Sequence, residues 1–201
     1  MPGQHSSRQN QETATPVILK QPVTYSSRAF DPANPPADMP PLPSGEVAQC
    51  DADFQSNASV SGRSFQTDAT HATLTITGVK VTLDLIVTVW VPADASQHVI
   101  EHEDGHRQIS EFYYQSADKT AERIAAAYIG RQVAISGADL HAESSKALQQ
   151  MGAEITEEYN KELNTEPTQL LYDSITDHSR NEVAAKDAVD HAIKNAAVEA
   201  N

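Results

Sequence analysis

VKVTLDLIVTVWVPADASQHVIEHEDGH, residues 79–106, contains the change of period that sets the fold. Val79, Val81, Leu83, Leu85, Val87 and Val89 alternate with a more polar set, Lys80, Thr82, Asp84, Ile86, Thr88 and Trp90. Successive side chains of a strand point to opposite faces, so this reads as a strand with one face in a core. Pro92 has no amide proton to give to a ladder and ends it. Asp94 or Ser96 can then cap a helix. From there the spacing becomes three and four: His98, His102, His106, Ile109, Tyr113, Ala117, Thr120, Ile124 and Tyr128 fall on one helical face.

Upstream of Gly78 the apolar phase is opposite, with Leu74 and Ile76 apolar, and a phase switch at a glycine predicts a bulge or a tight hairpin. Cys50 to Phe65 supplies another strand or two. The sheet, over about 47–91, is expected to be small and antiparallel. Helices are expected over about 94–128, 138–163 and 180–198. The second carries Leu140, Leu148, Met151, Ile155 and Tyr159 on one face and ends at Asn164-Thr165-Glu166-Pro167. Residues 168–178 read as non-helical, and Asp177 or Ser179 as the cap of the last helix. The class is α+β, with a helical half following the sheet.

Residues 1–22 are polar and expected to be a disordered tail, and 23–201 one domain. Val23–Ser26 suits a short strand. The proline-rich run Asp31–Pro43 is extended, either an ordered loop over the domain or a solvated linker. The chain has 14 basic and 28 acidic residues, a net charge of -14. That balance repels phosphate backbones and anionic membrane surfaces, so nucleic-acid binding is not expected. No apolar run is long enough to span a bilayer, so no membrane insertion is expected. Cys50 is the single cysteine, which excludes an internal disulfide and a cysteine zinc site. Met1–Gln21 lacks the apolar core of a signal peptide, as expected of a cytoplasmic chain or one freed of its signal.

The helix carries His102-Glu103-Asp104-Gly105-His106, an H-E-x-x-H pattern. Residues four apart lie one above the other on a helix, so His102 and His106 can offer two imidazole nitrogens to one zinc ion. Glu103, one position round, is placed to take a proton from water. A glycine at 105, in mid-helix, predicts the close approach of another group. A catalytic zinc needs a third protein ligand. A histidine six residues past His106 is ruled out, because that position is Phe112. His141, Glu143, Glu154, Glu157, Asp173 and His178 are the candidates that remain. Tyr172 reads equally as a donor to a developing oxyanion or as a packed core residue. Asp173 or Asp177 can orient a ligand histidine, and His98 sits one turn before His102 as a supporting group or an ordinary part-buried histidine.

Cys50, the strand ending at Pro92, His102-Glu103-Asp104-Gly105-His106 and Tyr172-Asp173-Ser174-Ile175-Thr176-Asp177-His178 together resemble a bacterial family of secreted zinc-dependent proteases catalogued as a domain of unknown function. The resemblance covers roughly residues 47–190. It implies a zincin-like fold, a zinc cofactor held by His102, His106 and His178, and a secreted or periplasmic protein. It departs from the family at Ser179, where a glycine is usual. The activity implied is metallopeptidase, on a peptide or protein substrate, with Glu103 as general base and Tyr172 assisting. In folds of this kind the strand near Val87–Val91 is expected to pair with extended substrate. The alternative is a non-catalytic metal-binding or interaction domain.

Overall fold

The computed structural model describes residues 14–199, so the expected tail at residues 1–13 lies outside the described part. Strand β4, His71–Pro92, is the frame. It pairs in parallel with β1, Val17–Lys20, and with β2, Thr24–Phe30. It pairs antiparallel with β3, Gln49–Gln66, and with β5, Gln132–Ser136. The sheet is therefore mixed, not the antiparallel one expected, and β1 takes residues assigned to the tail. The parallel strands were hard to read because their side chains carry little core pattern: β2, TYSSRAF, is exposed until Phe30. Backbone pairing with β4 holds it.

The phase switch in β4 is a bulge. Ser61 of β3 faces Gly78, but Gly62 faces Ile76, so Thr77 is the extra residue. One inserted residue turns the following side chains over. Leu74 and Ile76 before it, and Val79, Val81, Leu83, Leu85, Val87 and Val89 after it, thus share one buried face, each at most 3 % exposed. At Val87, β4 has Tyr25 of β2 on one side and Ala52 of β3 on the other. The expected pairing of substrate at Val87–Val91 is excluded over Val87–Trp90, where β2 and β3 occupy both edges. Among the described residues, β3 has no strand on its outer edge.

The described residues form five helices: α1, Gln97–Gln115; α2, Ala117–Ala126; α3, Leu140–Glu162; α4, Glu166–Thr176; and α5, Ala185–Glu199. The long helix expected to Tyr128 is broken at Ser116 into α1 and α2. Residues 168–178, expected to be non-helical, largely form α4. Pro167 lies in the first turn of α4, where a missing N–H leaves no bond unmade, so it opens this helix instead of closing α3. Asp177 takes the left-handed C-cap of α4 and does not cap α5. Ala117, Ala121, Ile124, Met151, Ile155 and Tyr159 pack with the buried face of β4 in the main core. Ile109, Tyr172, Ala188, Val189 and Ala192 form a second cluster that joins α1, α4 and α5. Among the described residues, no helix is long and apolar enough to cross a membrane.

α3 lies against β3 at Gly152, where an added Cβ would stand 2.6 Å from the Ala58 carbonyl oxygen. Alanine is the better helix former by about 1 kcal/mol, but overpacking against backbone costs about 1–3 kcal/mol. Gly152→Ala is therefore expected to lower the urea unfolding free energy in spite of the propensity gain. A more stable variant would mean that the two elements do not touch there.

Candidate metal centre

Ser96 starts α1, its hydroxyl accepting from the Val99 N–H at 3.3 Å. The next turns carry His102 and Glu103, both 3 % exposed, and His106. The two imidazoles meet with Nε2 to Nε2 at 3.3 Å. Asp173, from α4, brings Oδ1 to 2.9 Å from His106 Nε2 and 3.4 Å from His102 Nε2. These three residues form a group able to hold a metal ion. Tetrahedral zinc with bonds of about 2.0–2.1 Å spaces its ligand atoms about 3.3 Å apart. The observed triangle has that size, and two nitrogens and one oxygen suit zinc chemically.

The outer atoms support the same reading. Gln169 Oε1 lies 2.7 Å from His106 Nδ1, while Gln169 Nε2 donates to the His106 carbonyl at 3.2 Å and to Ser110 Oγ at 3.1 Å. The amide oxygen can only accept, so Nδ1 carries a proton, and Nε2, which faces Asp173, is the nitrogen that would give its lone pair to a cation once its own proton leaves. His102 Nδ1 is buried with no partner.

Tyr172 holds α4 to α1. Its ring stacks on His102 at 5.1 Å and 18° and meets His106 edge-on at 4.9 Å. Its hydroxyl donates to the His102 carbonyl at 3.1 Å. An added Cβ at Gly105 would stand 2.1 Å from that hydroxyl oxygen, which identifies the close approach expected at this glycine. Tyr172 is fully buried and does not line the cleft, so of its two readings the structure gives it the packed one. The oxyanion role has no geometric support, because the hydroxyl is already engaged.

His178, expected as third ligand, is not in the group. Its Nδ1 stands 3.9 Å from Asp173 Oδ1 and 2.5 Å from Glu46 Oε1, but makes no hydrogen bond. Asp173 occupies the position assigned to it. Asp177, His178 and Ser179 have φ of 46°, 52° and 62°, three left-handed residues in a row and none a glycine. Each such residue costs about 1–3 kcal/mol, and a glycine at 179 would suit this backbone. His141, Glu143, Glu154 and Glu157 lie on α3, and none lines the cleft. Asp177 is a helix cap, and His98 is part-buried with Nε2 unpartnered.

The cleft has a volume of about 320 Å³, and Glu46, Cys50, Glu103 and His178 line it with the three ligand candidates. Burial pushes Glu103 up to about 7, and the Glu46 and Asp173 carboxylates add to this against His106 and the Cys50 backbone N–H. Burial also pushes Asp173 up, but hydrogen bonds from His102 and His106 outweigh it and hold this carboxyl well below the usual range. For His106, burial acts downward and the bond to Asp173 prevails, raising it. Burial, then the Glu103 charge, raises the Cys50 thiol, so it stays protonated and is no nucleophile. Gln169 and Glu46 were not singled out by sequence. Gln169, Tyr172, Asp173 and Thr176 are spaced as one helical face, a signal hidden by reading Pro167 as a stop.

No family profile, curated protein or solved structure matches the chain.

The raised Glu103 carboxyl has a consequence for stability. Between 4.5, its ordinary value, and about 7 the folded protein binds more protons than the unfolded chain, so stability falls as pH rises through that window. In chelator-treated protein, Glu103→Gln is expected to exceed wild type at pH ~8 by up to about 3 kcal/mol, with the gain gone near pH ~4. Urea unfolding across this range reads it. Parallel pH profiles for the two proteins would show that Glu103 is not desolvated.

Proposed function

We propose that this chain is a zinc-dependent metallopeptidase. The observation that carries the reading is the convergence of His102 Nε2, His106 Nε2 and Asp173 Oδ1 beside the buried carboxyl of Glu103. His102, His106 and Asp173 would hold the ion, which supplies a Lewis acid and a water acidified to a pKa of about 7. Glu103 is the general base. A carboxyl poised at about 7 accepts a proton as readily as it gives one up at neutral pH. It takes a proton from the attacking water and returns it to the leaving nitrogen. Asp173, held as a carboxylate, adds negative charge for the cation, and Gln169 keeps His106 in the right tautomer.

A peptide is the substrate this site suits best. Gln49 and Cys50 line the cleft at the start of β3. The outer edge of that strand is where an extended chain would add by backbone hydrogen bonds. This replaces the pairing expected at Val87–Val91 and keeps the peptide beside Glu103. The resemblance to secreted zinc proteases agrees with this reading and adds a secreted or periplasmic location to it.

The test is hydrolysis of a quenched-fluorescence peptide library by zinc-loaded protein. Glu103→Gln is expected to keep its zinc and lose activity by about 100-fold or more, the contribution of a general base. Full activity in that variant would remove Glu103 from the mechanism. A zinc-loaded wild type that cleaves nothing would favour the non-catalytic metal-binding alternative.

A further inference from the structure

The proline-rich segment, from the end of β2 at Phe30 to β3 at Gln49, is an ordered loop, not a linker. Gln49 Nε2 donates to the Pro40 carbonyl at 3.1 Å, and Arg180 Nη2 donates to the Gly45 carbonyl at 3.4 Å. Its last part is a tight turn. The Glu46 N–H donates to the Pro43 carbonyl at 3.1 Å, and Gly45 has a φ of 89°, the left-handed value that the third position of a type II turn requires. This turn is a partition. On one side Pro43, Glu46 and Ala48 wall the metal cleft. On the other, Leu42, Glu46 and Val47 wall a second hollow of about 430 Å³.

The second hollow is apolar. Pro32, Leu42, Val47, Pro92, Ala95 and Val99 line it, and Val47 is 54 % exposed. The charged residues in its wall, Glu46 and Asp94, are both acidic. Its size lies within the range of about 300–1,000 Å³ usual for small-ligand sites. It adjoins the centre through two elements. The loop gives Glu46 to both hollows. α1 gives Val99 to this one and, one turn further on, His102 and Glu103 to the cleft. That turn is about 5 Å of helix, and an extended peptide advances about 3.3 Å per residue. A peptide on the outer edge of β3 is led the same way. Backbone groups of alternate strand residues face one edge. The Ala58 N–H donates to Thr156 Oγ1 at 3.2 Å and the Cys50 N–H faces the Glu103 carboxyl, so Ala52 and Phe54 between them present their groups outward. Beyond Cys50 the chain that precedes β3 is the wall of the hollow.

We propose that this hollow is the specificity subsite of the enzyme, and that it takes a large apolar side chain, leucine or phenylalanine, from the residue beside the scissile bond. The proposal rests on the metallopeptidase reading above. Burial against these apolar walls favours such a side chain over alanine in proportion to the area removed from water. Glu46 and Asp94 oppose an acidic one, so the same walls that select also reject.

The experiment is titration calorimetry of zinc-loaded protein with dipeptide hydroxamates whose side chain beside the metal-binding group is that of Ala, Leu, Phe or Glu. Hydrolysis of the matching peptides is measured alongside. The Leu and Phe compounds are expected to bind about tenfold or more tightly than the Ala compound, and the Glu compound more weakly than Ala. Val99→Phe, which fills the hollow, is expected to bring Leu and Ala to nearly equal affinity. Val47→Lys, at an exposed position, is expected to tighten the Glu compound by about two- to fivefold. Equal affinity for all four compounds in wild type would overturn the proposal. So would a Leu preference that survives Val99→Phe while Val47→Lys leaves the Glu compound unmoved. Hydrolysis without side-chain selectivity would sink the subsite alone. Selective binding with no hydrolysis of any peptide would sink the peptidase reading and the substrate role with it, and a chain that takes up no zinc would overturn both.

Discussion

The seat of Tyr172 on Gly105 is the contact on which the cleft depends. Glycine in mid-helix costs about 1 kcal/mol relative to alanine. At this position it lets an aromatic ring of α4 reach the backbone of α1, with the hydroxyl bonded to the His102 carbonyl. The ring then packs on both histidines and fixes the distance between the helices. Gln169, one turn before, and Asp173, beside it, are carried to His106 by that approach. Any side chain at 105 would push the ring away and take the third candidate ligand with it.

The second constraint is charge. Glu46, Glu103 and Asp173 share one cleft with His102, His106 and His178. Carboxylates crowded in a desolvated space raise one another's affinity for protons or for a cation. The protein resolves this unevenly. Asp173, bonded to two imidazoles, stays ionised, whereas Glu103, buried with few donors, is pushed up to about 7. Two acids of one cleft thereby differ in protonation, and under the proposed function one would hold a cation and the other move a proton.

Much of the frame was legible in sequence. The period-two run of β4 with its switch at Gly78, the end at Pro92, the Ser96 cap and the His102–His106 spacing all correspond to elements observed. These are local signals, set by the strand and helix repeats. What was missed is tertiary or depends on turn chemistry. β1 and β2 are held by backbone pairing with β4 and bear few buried side chains, so composition could not report them. α4 was hidden because Pro167 serves equally to stop one helix or start another, and the choice depends on how Thr165 is placed. With α4 unread, Asp173 remained one candidate among several, and His178 was assigned through the family resemblance alone. The presence of Glu46 in the cleft was out of reach of sequence altogether, since it comes from a loop whose path over the cleft only the fold defines.

The central claim is that His102, His106 and Asp173 form the metal centre. Its most direct test is a crystal structure of the zinc-soaked protein with anomalous data at the zinc edge. One ion is predicted, bonded at about 2.0–2.2 Å to His102 Nε2, His106 Nε2 and Asp173 Oδ1, with His178 outside the coordination shell. An ion ligated by His178 in place of Asp173, or no ion between the two helices, would contradict it.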